Sequence, residues 1–149
     1  PGAIGEPGHR VFYLQVFAEG TEVAVKCEKQ QAAALAEHLV RLLPELPATD
    51  PGADAAPAEA LPPTDLAWIV GSISLGVDRA EERLVVILEE FVDPEESSAD
   101  PEQLRLFLTA EQVRAYAAQV EVLLSSSRPL CRLCEQPMDP AGHACPRLN

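Results

Sequence analysis

Three cysteines and one histidine fall within 15 residues near the C-terminus, and no other feature constrains the fold of this part of the chain more strongly. Their spacing is Cys131-x-x-Cys134, eight intervening residues, and then His143-x-Cys145. A Cys-x-x-Cys turn places two thiolates at the separation that a tetrahedral metal ion requires, and the second pair completes four ligands. We therefore predict a zinc site. A disulfide, which would leave one of these cysteines over, and free thiols remain the alternatives.

Segment 131–145 carries too few apolar side chains to fold alone, so a bound ion would have to supply much of its ordering free energy. Four protein ligands leave a zinc ion no position for water or substrate, which indicates a structural ion and no catalytic residue there. Arg128, Arg132 and Arg147 make the tail locally basic, so a nucleic-acid-binding zinc module is one alternative function.

The whole chain is strongly acidic, with 24 Asp and Glu against 11 Lys and Arg and a net charge of -13 over 149 residues. Nonspecific binding to nucleic acid or to an anionic membrane relies on basic side chains, so neither is expected. The longest nearly apolar stretch, 67–77, is too short to span a bilayer. The sequence thus predicts a cytoplasmic protein without a membrane segment, whose partner is another protein.

Two segments interrupt the regular patterns. Segment 44–65 is rich in Pro, Ala and Asp, and segment 93–102 is acidic; each holds five acidic residues and no basic one. Such sequences bury too little apolar surface to repay ordering, so both are expected to be linkers or loops. The predicted organisation is a body over residues 1–127, with 44–65 as its internal loop, and a zinc-binding tail over 128–149.

The first half of the body predicts a β-hairpin followed by a helix. Segments 10–18 and 22–28 alternate apolar and polar residues around a Glu19-Gly20 turn. Leucines then recur at helical spacing over 30–43, until Pro44 ends the pattern. Because Cys27 alternates with Val23 and Val25, it is expected to pack in the core.

The second half predicts three strands, over 66–77, 83–92 and 104–108, before a second helix. Thr109 and Gln112 have the spacing of a capping box at the start of that helix. The sequence around Cys27 and the sequence around Leu108, 81 positions later, resemble each other, and each has a strand that turns directly into a helix. This similarity reflects either an internal duplication or chance. Both helices need a sheet to cover their apolar stripes, so we expect an α+β fold of order ββα-βββα. In this fold a mostly antiparallel sheet of about five strands carries both helices on one face, followed by a zinc-ribbon-like tail.

No grouping of a nucleophile with an acid or base stands out along the chain, which favours a noncatalytic binding or adaptor protein over an enzyme. The alternative is an enzyme or small-ligand-binding domain with a site on the sheet. Its candidate ligand-binding residues are Arg10, Gln15, Glu28 and Glu90.

Nearly the whole chain resembles an uncharacterised bacterial family, domain of unknown function 3090, and the resemblance is most specific at the two ends. The likeness lies in Gly5-Glu6-Pro7-Gly8 with Arg10, in the entry to the first helix at 28–31, and in the pattern from Cys131 to Arg147. The resemblance implies a bacterial cytoplasmic protein with a C-terminal Cys/His cluster. It implies no reaction.

Overall fold

A computed structural model describes residues 1–6, 8–47, 56–93, 95, 100–125, 131–136, 138 and 143–147. Within these ranges the chain forms six strands, two α-helices and one short 3-10 turn at Leu43–Glu45. In chain order the strands and helices are β1 (Gly2–Ile4), β2 (Val11–Ala18), β3 (Thr21–Cys27), α1 (Lys29–Leu42), β4 (Val70–Asp78), β5 (Arg83–Glu90), β6 (Gln103–Leu108) and α2 (Ala110–Ser125).

The predicted hairpin is confirmed as β2 and β3, which pair antiparallel from Phe12 opposite Cys27 to Ala18 opposite Thr21. Glu19 and Gly20 both have positive φ, as a two-residue turn between twisted strands requires. Strand β1 adds a third strand beside β2, which the sequence analysis did not predict.

The second half repeats the same plan, because β4, β5 and β6 form another antiparallel sheet and α2 follows its last strand. The predicted capping box is confirmed at the start of α2. The backbone N–H of Gln112 donates to Thr109 Oγ1 at 3.1 Å, and the backbone N–H of Thr109 donates to Gln112 Oε1 at 2.9 Å.

The α+β class is confirmed, but the prediction of one sheet of about five strands is wrong, since the described chain has two sheets of three. The segment at 66–69, predicted to begin the third strand, instead runs parallel to β3. The backbone N–H of Lys26 donates to the Trp68 carbonyl at 2.8 Å, and a single bridge joins Lys26 to Ile69. An irregularity between Val70 and Ser72 then redirects the chain to pair with β5. A bulge of this kind bends a strand away from one partner toward another, which is why the sheet divides here.

The core lies between the sheets and the helices. Its fully buried side chains come from β3, α1, β5 and α2 and include Val25, Leu39, Leu84, Leu88 and Val113. Cys27 is also buried, as predicted from the strand alternation. The core is therefore shared by both halves of the body.

The boundary predicted between residues 127 and 128 lies outside the described residues, as does segment 48–55 of the predicted Pro-rich loop. The described tail residues form turns and no strand, so the described tail does not show the hairpin of a zinc ribbon. No helix among the described residues is both long and apolar enough to cross a bilayer.

Candidate metal centre

The first two cysteines lie at the ends of a tight turn, Cys131 to Cys134. The backbone N–H of Leu133 points at the Cys131 sulfur, with 3.5 Å between N and Sγ. The backbone N–H of Glu135 donates to the Cys131 carbonyl at 2.9 Å. Glu135 has a φ of 58°, a left-handed conformation that reverses the chain after the second cysteine.

A second backbone bond closes this turn. The N–H of Cys131 donates to the carbonyl of Gln136 at 2.8 Å, so the residues before and after the turn are held together. These backbone bonds hold the two ends of the turn together, with the two thiols at short range.

The second pair meets the first across the turn. Nε2 of His143 lies 3.2 Å from Sγ of Cys134, and Sγ of Cys145 lies 3.9 Å from Sγ of Cys131. The four ligand atoms all lie within 4.8 Å of one another. All four cysteines of the chain, including Cys27 in the core, are free of disulfides.

The electrostatics of the cluster favour one thiolate and oppose a second. The backbone N–H groups of Cys134 and Leu133 lower the pKa of the Cys131 thiol, because they stabilise its charged form. The N–H of Gln136 acts in the same direction on Cys134, but burial and the neighbouring thiols of Cys131 and Cys145 outweigh it and raise the pKa of Cys134. A cation among these sulfurs would offset the repulsion that raises the pKa of the Cys134 thiol.

Three sulfurs and one imidazole nitrogen at these separations could hold a metal ion. Cys131 and Cys145 are buried, whereas Cys134 and His143 are half-buried. The fold and the cluster together define the class: an α+β protein with a C-terminal Cys/His cluster suited to a metal.

Comparison with known families identifies the chain further. A profile of the family described as protein of unknown function (DUF3090) matches residues 1–145. The chain belongs to this family, as the resemblance of its two ends indicated. Searches of curated proteins and of solved structures each gave no match.

The four residues predicted as a ligand site on the sheet lie on or beside β2, α1 and β5. Glu28 precedes α1, where its backbone N–H donates to Gln31 Oε1 at 2.8 Å. Glu90 accepts a backbone hydrogen bond from Glu102 at 3.0 Å, at the end of β5. Arg10 is half-buried just before β2. Of the four, Gln15 alone is among the residues that line a cavity of about 300 Å³ between the two halves of the body.

Two of the tail arginines proposed for a nucleic-acid site, Arg132 and Arg147, are exposed, and Arg128 lies outside the described residues. The sequence analysis did not anticipate the cavity between the two halves. The strands that line this cavity alternate apolar and polar residues as any core strand does. The local sequence therefore does not distinguish a cavity wall from tightly packed core.

Proposed function

We propose that this protein is a noncatalytic binding or adaptor protein, which binds another protein and carries a structural zinc ion in its C-terminal tail. The observation that carries the zinc assignment is the closed set of four protein ligands at 131, 134, 143 and 145. Zinc would act there as a cross-link that holds the two halves of the tail together.

The spacing of the ligand atoms supports zinc. With Zn–S bonds of about 2.3 Å and a Zn–N bond of about 2.0 Å, a tetrahedron has S–S edges of about 3.8 Å and S–N edges of about 3.5 Å. Two separations in the cluster are 3.9 Å between the sulfurs of Cys131 and Cys145 and 3.2 Å between the Cys134 sulfur and the His143 nitrogen, and all four atoms lie within 4.8 Å of one another. Small side-chain movements would therefore bring all four atoms onto one ion.

The noncatalytic role follows from the number of ligands. A catalytic zinc site keeps one position for water or substrate, whereas three thiolates and an imidazole occupy all four. The backbone N–H of Leu133 points at the Cys131 sulfur, an arrangement that stabilises thiolate ligands instead of activating a water molecule. A tail cross-linked in this way would present a rigid surface to a partner.

The net charge of -13 on the whole chain favours a protein partner over nucleic acid, because it would repel the phosphate backbone, and the proposed location of this partner is the cytoplasm. Leu133 is exposed beside the ligands and would give the tail an apolar contact with such a partner.

Metal analysis of the purified full chain, combined with X-ray absorption at the zinc edge, tests the proposal. We expect one zinc per chain with a first shell of three sulfurs and one nitrogen. Cys134→Ser should lower the zinc content, and Cys27→Ser, which changes a cysteine distant from the cluster, should keep it. An oxygen ligand from water in the native site would contradict the noncatalytic assignment, and zinc-free protein would contradict the metal.

A further inference from the structure

A cavity of about 300 Å³ lies where the two halves of the body meet. Its walls come from β2, α1, β5, β6 and α2, and from the strap, which we define as residues 57–61. Most of the wall is aliphatic, including Leu14, Leu35, Leu39, Val86, Leu88 and Leu106. A volume of this size is at the lower end of the range for small-molecule sites, about 300 to 1,000 Å³.

The strap is held across the cavity at both ends. On one side the backbone N–H of Ala58 donates to the Ala115 carbonyl of α2 at 3.1 Å. On the other side the backbone N–H of Leu61 donates to Gln15 Oε1 on β2 at 2.9 Å, and the Tyr13 hydroxyl donates to the Leu61 carbonyl at 2.9 Å. These bonds keep the strap from collapsing into the space, so the cavity is built into the fold.

The charge around the cavity selects against anions. Glu59 on the strap supplies a carboxylate. The described residues that line the wall include no lysine, arginine or histidine, but they include Pro1, and burial lowers the pKa of its amine. A second carboxylate lies close by, because Gln15 Nε2 donates to Glu22 Oε1 at 2.7 Å. The Tyr116 hydroxyl, also in the wall, is already used in a hydrogen bond to the Ala32 carbonyl. A negatively charged ligand would be repelled by Glu59, and the Pro1 amine, whose charged form burial disfavours, would offset this repulsion only in part.

We propose that this cavity binds a small apolar molecule of ~10 non-hydrogen atoms, with an uncharged or positively charged polar end toward Glu59 and the strap. The size follows from a volume of about 30 Å³ per water-sized group. Apolar walls that face only water lose contacts that an apolar ligand restores. This binding site goes beyond the proposed zinc-dependent role and does not rest on it.

Titration of the full chain with three eight-carbon probes, namely octanol, octylammonium and octanoate, tests the proposal by NMR of the methyl groups. We expect octanol and octylammonium to shift the methyl signals of Val86 and Leu106, and octanoate to bind about two- to fivefold more weakly. Absence of binding by octanol and octylammonium would overturn the site. Octanoate binding as tight as that of octylammonium would overturn the charge preference.

Substitutions inside and outside the cavity show where octanol binds. Ala115→Leu places extra atoms in the wall and should weaken octanol binding by about tenfold, whereas Ala34→Leu makes the same change on the exposed side of α1 and should leave it unchanged. Val16→Leu adds atoms to the cavity wall from β2 and is a second, independent variant of the same kind. Equal effects of Ala34→Leu and Ala115→Leu would overturn the location.

A separate variant tests the preference of the cavity for uncharged or positively charged ligands. Glu59→Gln changes only an exposed strap side chain, so the fold is kept, and it should bring octanoate binding to within about twofold of octanol. An unchanged ratio would overturn the role of Glu59. Zinc content is measured on every sample, so that failure of the cavity and failure of the metal site are told apart.

Discussion

The Tyr116 hydroxyl on α2 donates a hydrogen bond to the backbone carbonyl of Ala32 on α1, with 3.1 Å between the oxygens and 84 residues between the partners in sequence. Ala32 is buried beside Leu35 and Leu39 in the core. Burial also raises the pKa of Tyr116, so its hydroxyl stays protonated and can donate. This contact therefore joins the helices of the two halves where their apolar stripes meet.

Tyr116→Phe should lower the free energy of unfolding by about 1 kcal/mol, because it removes this hydrogen bond and keeps the ring. Tyr13→Phe is a matched control. Its lost bond is to the exposed Leu61 on the strap, where water can replace the hydroxyl, so the effect should be smaller. Urea unfolding followed by circular dichroism measures both. Equal losses for the two variants would contradict the special role of the helix contact.

Thr109→Ala should cost about 1 kcal/mol, since it removes the side-chain cap of α2 and leaves the Gln112 N–H without that partner. Thr109→Ser keeps the hydroxyl and should stay close to the wild type. Thermal unfolding of the three proteins at one concentration checks this prediction. Loss of stability by the serine variant as large as that of the alanine variant would show that the threonine methyl group, not the cap, matters.

Gly71→Ala should destabilise the body by more than about 1 kcal/mol, because a Cβ at this position would lie 2.8 Å from the Phe91 Cα. Gly76→Ala is the control on the same strand, where a Cβ would meet Val85 at 3.9 Å, an ordinary contact. Chemical unfolding of both variants provides the measurement. If both substitutions are tolerated equally, the close approach of the backbones after the bulge does not constrain residue 71.

Glu135→Gly should retain or slightly strengthen metal binding, because glycine adopts the left-handed conformation of residue 135 without strain. Glu135→Val should weaken it, since a β-branched residue is strained there. Competition with a chromogenic chelator at neutral pH gives the relative affinities. Identical affinity of the valine and glycine variants would mean that the turn after Cys134 can form in another way.

The stability of the body should fall as the pH rises from about 9 toward 12. Burial raises the pKa of the Cys27 thiol from 9.0 to about 12, so the folded state opposes its ionisation. This contribution is fully present below the unfolded pKa and is lost as the pH rises through the folded one, at most about 4 kcal/mol.

Cys27→Val should flatten this loss, although Tyr13 and Tyr116, whose pKa values are also raised, should keep some of it. Unfolding free energies measured at several pH values for both proteins test the assignment. Parallel curves for the wild type and the variant would contradict it.

Local features of the fold were readable from the sequence because they depend on residues close together in the chain. The hairpin turn at Glu19 and Gly20 and the cap at Thr109 follow from short patterns that the structure reproduces. The Cys/His cluster is also local, since its four residues lie within 15 positions and its turn is closed by backbone bonds of Cys131.

Only the tertiary structure decided which strands pair and where space remains. An alternating pattern shows which face of a strand is apolar, but it does not specify which other strand pairs with it. It therefore could not show that the chain at 66–69 lies beside β3 before the bulge at Gly71, or that the strand at 2–4 joins the first sheet. The cavity arises in the same way, because its walls come from five separated elements and the strap. The sequence by itself thus determined both helices, most of the strands and the donor set, whereas the added strand at 2–4, the division into two sheets and the space between the halves follow from long-range packing, which no local pattern encodes.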